Sequence, residues 1–363
     1  MPARDGSILT PAGWVRGRLR FEAGISDISG EPTERPTAPY LLPGFVDLHV
    51  HGGGGGDVMQ GEDAVRTLAR CHARFGTTAL LATTVTAPLS DIEQALLGVE
   101  AVRQRPEPGA AQVLGAHLEG PFINPDKLGA QPPFARLPDV DLLAGWCRLA
   151  AVRVMTFAPE LDEDGGLRAA LLAAGVRPQV GHSLAQSAVA SAAFRAGAGA
   201  THLFNAMSGF DHRAPGVVGA ALAHATSAEI IPDLVHVEAT AILAARRAIP
   251  KLYAVTDATA GAGMPDGPFP LGRRTAHKCA GAMRLDDGTL AGSTLTMDQA
   301  LRNLVAIGLP LAEASRRTAT LPALWLGLSD RGSLEVGRRA DVVVLDAALA
   351  VEETIIGGAL TKP

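Results

Sequence analysis

The stretch LPGFVDLHVHGGGGGDVM, residues 42–59, ends an apolar run on two histidines one residue apart. In an extended strand side chains alternate faces, so His49 and His51 point one way while Leu48 and Val50 point the other. An H-x-H pair placed like this makes a two-imidazole clamp, although alone it fits two ordinary polar residues at a strand end equally well. Four later segments also close an apolar run on a group able to bind a metal or move a proton: Glu119 in HLEGPF, His182 in VGHS, His202 in THLFNAM and Asp257 in VTDA. Taken singly, a buried glutamate is more often an ion-pair partner and a buried histidine a satisfied core residue. Their recurrence at the same point of successive apolar runs asks for a common cause. Imidazole and carboxylate donors with no thiolate suit a catalytic Zn²⁺ or Fe²⁺ site that keeps a position for water.

Such residues meet only if the fold gathers the ends of distant runs. Strand-length apolar runs recur at 44–50, 77–85, 113–120, 152–160, 176–183, 199–207, 228–237 and 251–258. Between them lie segments with helical spacing, such as DAVRTLARCHARFG and SDIEQALLGVEAVRQR. Alternation of this kind predicts an α/β fold, a (β/α)₈ TIM-like barrel over residues 44–327, with a doubly wound sheet as the rival. The barrel is preferred because the carboxyl ends of all its strands share one mouth, where active sites form. Residues 1–43 read as short strands leading into the Pro-rich EPTERPTAPYLLPG, and residues 328–363 alternate in strand fashion between Gly turns. The two ends are expected to pair in a small β-sandwich outside the barrel. The five glycines Gly52 to Gly56 are expected to form the loop after the first barrel strand, keeping side chains away from metal and substrate.

Composition narrows the partners. A net charge of −5 over 363 residues advertises no basic face for nucleic acid or an anionic membrane. The three cysteines, Cys71, Cys147 and Cys279, lie far apart and form no C-x-x-C, which argues against a disulfide framework and fits a reducing cytoplasm. No apolar run reaches membrane-spanning length, and the N-terminus lacks the apolar core of a signal peptide.

The stretches PGFVDLHVHGGGG, HLEGPFINPDKLGA, GHS, HLFNAMSGFDHRAPG, VTDA, LAGSTLTMDQALRNLV and GSLEVGRRADVVVLD span nearly the whole chain. In them the sequence resembles the amidohydrolase superfamily and, within it, the N-acetylglucosamine-6-phosphate deacetylases. The resemblance implies that Glu119, His182 and His202 bind the main metal, Zn²⁺ or alternatively Fe²⁺. It also implies that His49 and His51 could hold a second ion beside Glu119 and Asp257, giving one or two per subunit. Glu119 takes the place of the carboxylated lysine of many relatives. The lysines here are Lys127, Lys251, Lys278 and Lys362, none at the end of an expected mid-barrel strand. Asp257 would act as general base on the attacking water and then as acid toward the departing amine. For the phosphate of a phosphorylated amino sugar the resemblance points to Asn205, Ala206, Arg213 and His236, with Arg213 reaching the neighbouring site of a homodimer. Leu290, Ala291 and Gly292 would line the acetyl end. Two positions depart from the family pattern: Gln131 stands where a histidine is usual, as the donor near the substrate carbonyl, and Leu234 replaces a glycine. The implied reaction removes the acetyl group from N-acetyl-D-glucosamine 6-phosphate. The N-acetylgalactosamine epimer, a cyclic amidase, a nucleobase deaminase and a non-catalytic assembly protein stand as alternatives.

Overall fold

The computed structural model describes residues 1–361, so Lys362 lies outside the described residues. Eight parallel strands hydrogen-bond in chain order: Phe45–Val50, Thr77–Thr84, Gln112–Glu119, Val152–Phe157, Arg177–Val180, Gly199–Ala200, Ser227–Ile230 and Lys251–Ala254. The ring closes between its first and last members. Val50 bridges Ala258, the Asp257 N–H donates to the His49 carbonyl at 2.9 Å, and the His51 N–H donates to the Ala258 carbonyl at 2.8 Å. This is the expected barrel, and all eight expected runs supply its strands.

Side-chain alternation decides what the first strand delivers. Val46 and Leu48 are fully buried in an apolar cluster that also holds the helical residues Leu301, Leu304 and Leu321. Each such aliphatic side chain contributes about 1.5–3 kcal/mol relative to exposure. Asp47 and His49, on the other face, are equally buried but engage polar partners. The helix Glu62–Ala73 follows the same logic at its own period. Val65, Leu68, Ala69 and His72 form its buried stripe, Glu62 and Asp63 sit in its first turn, and Arg70 and His72 sit in its last. That charge order suits the helix dipole.

The last four strands are shorter than the sequence suggests. The runs 176–183, 199–207, 228–237 and 251–258 leave the pleat at Val180, Ala200, Ile230 and Ala254. In three of them the candidate side chain lies just beyond, in left-handed backbone: His182 has φ 47°, His202 φ 26° and Asp257 φ 51°. A strand cannot continue through that conformation, which is uncommon for a residue with a side chain.

Outside the barrel, strands Ala3–Thr10, Gly13–Phe21, Ile25–Pro32 and Tyr40–Pro43 join Val342–Leu345, Val351–Ile356 and Ala359–Thr361 in one seven-stranded sheet. Tyr40–Pro43 is the seam, parallel to Ala3–Thr10 on one side and antiparallel to Val342–Leu345 on the other. Leu19, Phe21 and Ile25 from one half share a core with Val342, Val344 and Ile355 from the other, so the sheet curls over its own apolar face.

An element absent from the sequence reading follows the eighth barrel strand. Gly267–Leu271, Arg274–Cys279, Ala282–Arg284 and Leu290–Ser293 form a four-stranded antiparallel sheet. Its turns are visible in retrospect as Gly272, Gly281 and the Asp286-Asp287-Gly288 cluster.

The glycine run serves a different purpose from the expected one. Gly52–Gly53 pairs antiparallel with Gly56–Asp57, and Gly54 and Gly55 turn between them at φ 62° and 89°. A Cβ on Gly52 would lie 2.4 Å from the Gly56 carbonyl oxygen and 2.6 Å from the Ala260 nitrogen, and one on Gly53 would lie 2.8 Å from His72 Nε2. The glycines thus allow a tight ribbon to pack on the first helix and on the segment after Asp257, and none of them borders the cavity described below. Gly52→Val is therefore expected to lower stability by about 1–3 kcal/mol through overpacking against backbone. An unchanged urea midpoint would show that the ribbon has room to spare. Among the described residues no helix is long and apolar enough to cross a membrane.

Candidate metal centre and binding cavity

Six side chains converge at the barrel mouth. Glu119 Oε1 lies 2.9 Å from His202 Nε2 and 3.2 Å from His182 Nε2, while Oε2 lies 3.2 Å from His51 Nε2. His49 Nε2 is 3.4 Å from Oε1, and Asp257 Oδ1 sits 3.2 Å from His51 Nε2 and 3.4 Å from His49 Nε2. Two overlapping triads result, Glu119–His182–His202 and His49–His51–Glu119, with Glu119 common to both.

The outer ring atoms show what the inner ones can do. His49 Nδ1 faces Glu229 Oε2 at 3.0 Å, His51 Nδ1 faces the Thr83 carbonyl at 3.1 Å, and His182 Nδ1 faces the Lys127 carbonyl at 2.9 Å. Each partner is an acceptor, so each Nδ1 carries the proton and each Nε2 turns a lone pair inward. Yet His49 Nε2 and His51 Nε2 are only 3.2 Å apart, and His182 Nε2 and His202 Nε2 only 3.1 Å apart. Lone pairs so close need a proton or a cation between them. This donor set, all nitrogen and oxygen, fits a divalent ion of the Zn²⁺ or Fe²⁺ class.

With protons in place of a cation the electrostatics follow. Burial works against charge on His51, but the hydrogen bonds that its protonated ring donates to Asp257 and Glu119 outweigh it and raise its pKa from 6.5 to about 9. Burial would raise the carboxyls of Glu119 and Asp257, yet the imidazoles beside them hold both below their ordinary values. The signs give a prediction. In metal-free protein the raised His51 contributes stability that is complete below pH 6.5 and lost as pH climbs through about 9. The carboxyls contribute stability present above their ordinary range and lost on acidification. Metal binding needs the imidazoles neutral and releases protons, so its stabilisation grows over the same interval. The gap in Tm between metal-loaded and chelated protein should widen from pH 6.5 to 9. A gap independent of pH would contradict the shared use of these nitrogens.

A cavity of about 340 Å³ opens onto this centre. Of the residues singled out from sequence, His51, Glu119, Gln131, His182, His202, Asn205, Ala206, His236, Asp257, Leu290 and Gly292 line it. His49 lies fully buried behind them, and Ala291 is buried between Leu290 and Gly292. Arg213 does not line it. Its loop is exposed, with its N–H on Asp211 Oδ1 at 2.8 Å. His236 is fixed by Asp233, Nδ1 to Oδ2 at 2.6 Å. Leu234, the departure from glycine, has φ 64°, which is why a glycine suits that position.

Several contributors were missed in the sequence. Arg284 and Thr289 come from the inserted sheet, and Arg284 is the lone Arg or Lys among the residues lining the cavity. Glu229 is fully buried and orients His49; its place in AEII, on a barrel strand, is the one available hint.

Comparison with known proteins agrees with this geometry. The amidohydrolase family model matches residues 40–361. The N-acetylgalactosamine-6-phosphate deacetylase of Escherichia coli O157:H7 is 42% identical, over 99% of this chain and 98% of that protein. The N-acetylglucosamine-6-phosphate deacetylase of Bacillus subtilis (strain 168) is 38% identical, over 92% and 91%. Among solved structures, an N-acetyl-D-glucosamine-6-phosphate deacetylase mutant from Mycobacterium smegmatis in complex with N-acetyl-D-glucosamine-6-phosphate superposes with a TM-score of 0.90 at 35% identity, covering 99% of this chain and 98% of that one.

Proposed function

The chain belongs to the N-acetylglucosamine-6-phosphate deacetylase family of amidohydrolases, and from that premise we propose a specific assignment of its residues to the reaction. It is a hydrolase that removes the acetyl group from N-acetyl-D-glucosamine 6-phosphate, giving D-glucosamine 6-phosphate and acetate. The observation that carries the assignment is the Glu119–His182–His202 triad with Asp257 beside it, all facing one cavity. A divalent cation held by this triad, Zn²⁺ first and Fe²⁺ as the alternative, supplies Lewis acidity that polarises a carbonyl and lowers the proton affinity of water. His49 and His51 offer a second position. In metal-dependent acetate release from N-acetyl-D-glucosamine 6-phosphate, silence with both Zn²⁺ and Fe²⁺ would sink the proposal.

Asp257 does the proton work. Its backbone is clamped, the N–H on the His49 carbonyl at 2.9 Å and its own carbonyl accepting from Ser293 N–H at 2.8 Å, so the carboxylate is presented at the mouth in fixed orientation. There it takes the proton from the attacking water and returns it to the leaving amine, which must depart neutral. Leu290 and Gly292, with Ala291 buried between them, form the wall at the acetyl end.

At the other end Asn205, Ala206 and His236 receive the phosphate, joined by the permanent charge of Arg284 from the same chain. Arg213 completes that site from the second subunit of a homodimer, consistent with its exposed loop. Arg213→Ala is expected to raise KM about tenfold or more while kcat changes little, since a phosphate contact remote from the amide acts on ground and transition states alike. An unchanged KM would remove Arg213 from the site. We assign residues 1–43 and 328–363 to the small β domain and 44–327 to the barrel, in a protein of the cytoplasm, a reading supported by three free cysteines.

A second reading has its own support, because one close relative is named for the galactosamine epimer at 42% identity. The ratio of kcat/KM for N-acetylglucosamine and N-acetylgalactosamine 6-phosphates decides between them, the epimers differing in one hydroxyl.

A further inference from the structure

Gln131 occupies the position where the family pattern has a histidine near the substrate carbonyl, and its amide is already engaged. The side chain is buried, 5% exposed, on the loop after the third barrel strand. The Thr86 backbone N–H points at one end of the amide at 2.7 Å. A backbone N–H can only donate, so that end is the oxygen Oε1. The Thr86 hydroxyl has its own acceptor in the Pro132 carbonyl at 2.6 Å, which ties the loop to the same strand end. The amide nitrogen is thereby turned to Glu119, and Nε2 donates to Oε2 of that carboxylate.

Glu119 is the shared member of both triads. Oε1 serves His182 and His202, and Oε2 serves His51. Gln131 Nε2 is a donor to Oε2 that stays protonated when the imidazoles are neutral, and so it fixes which way Oε2 points. An amide suits this place because it stays neutral at every working pH and adds no positive charge beside a cation.

We propose that Gln131 is a positioning residue for Glu119: its amide, locked by the Thr86 N–H, holds the shared carboxylate in its ligating orientation and is not the donor to the substrate carbonyl. The proposal rests on reading Glu119 as a metal ligand. Outer partners of metal ligands are worth about 10- to 100-fold in metal affinity.

The test titrates metal-free protein with Co²⁺ alone, following heat and the visible absorption of the bound ion, with no substrate present. Gln131→Ala should bind Co²⁺ about 10- to 100-fold more weakly than wild type, with an altered absorption band. Gln131→Glu keeps the reach and the acceptor for Thr86 but removes the donor and sets a second carboxylate against Oε2. It should shift the band and weaken binding too, and it serves as the readout if the alanine variant does not fold. Wild-type affinity in both variants with a reduced kcat would return Gln131 to the substrate carbonyl and overturn the proposal. Wild-type affinity with a lowered Tm alone would reduce it to loop packing. A wild-type protein that takes up no Co²⁺ would overturn the reading of Glu119 itself, and this assignment with it.

Discussion

Asp257→Asn is expected to keep its metal and lose about 10²- to 10⁴-fold in kcat, the range associated with a single general acid–base group. Asparagine preserves the volume and an oxygen for His51, so the clamp on its backbone from His49 and Ser293 has no reason to move. What it cannot do is accept a proton from water. In the metal-free protein the carboxyl it replaces is held below its ordinary range because, against the cost of burial, the charges of His49 and His51 favour the ionised form. Two measurements together make the test discriminating: turnover on N-acetyl-D-glucosamine 6-phosphate, and metal per chain by elemental analysis. A variant with full metal and near-normal kcat would strip Asp257 of the proton-transfer role. A variant that loses its metal would instead make Asp257 chiefly a ligand.

Which parts of this arrangement were readable from the sequence follows from how local the signals are. The H-x-H pair was legible because strand alternation is a two-residue pattern, and Val46, Leu48 and Val50 do face away from Asp47, His49 and His51. The meeting of Glu119, His182, His202 and Asp257 was legible for a topological reason, since barrel strands end at one mouth wherever the helices between them vary. The strand ends were less so. His182, His202 and Asp257 sit in left-handed backbone, which general propensity assigns to glycine or asparagine. Leu234 is a related case: the left-handed backbone that suits the family's glycine is kept here with a leucine. The glycine run misled because proximity in sequence to His51 suggested the cavity, whereas its packing partners, His72 and Ala260, are set by tertiary contact. Glu229 was invisible for the same reason. Nothing near it in sequence records that His49, 180 residues earlier, needs its Nδ1 proton received.

The shared carboxylate is the residue on which both triads depend, so Glu119→Gln should be the most damaging isosteric change in the molecule. Glutamine keeps the shape but removes the negative charge that faces the Nε2 atoms of His49, His51, His182 and His202, leaving Asp257 as the carboxylate beside His49 and His51 and Glu229 behind His49. Lewis acidity in such sites is worth several kcal/mol of transition-state stabilisation. At about 1.4 kcal/mol per tenfold, a loss of roughly 4 kcal/mol corresponds to about 10³-fold in kcat. The expected result is low metal content and at least that loss of turnover. Chelated wild-type protein provides the matched comparison: it should be as inactive as the variant, but adding back Zn²⁺ should restore it and leave Glu119→Gln silent. Because glutamine also disturbs the Gln131 amide, which would then face either another amide nitrogen or a neutral oxygen, the variant's residual affinity should fall below that of Gln131→Ala. If Glu119→Gln instead kept a full complement of metal, the ion would be held by the imidazoles alone, and the geometry at the barrel mouth would have to be read without its carboxylate.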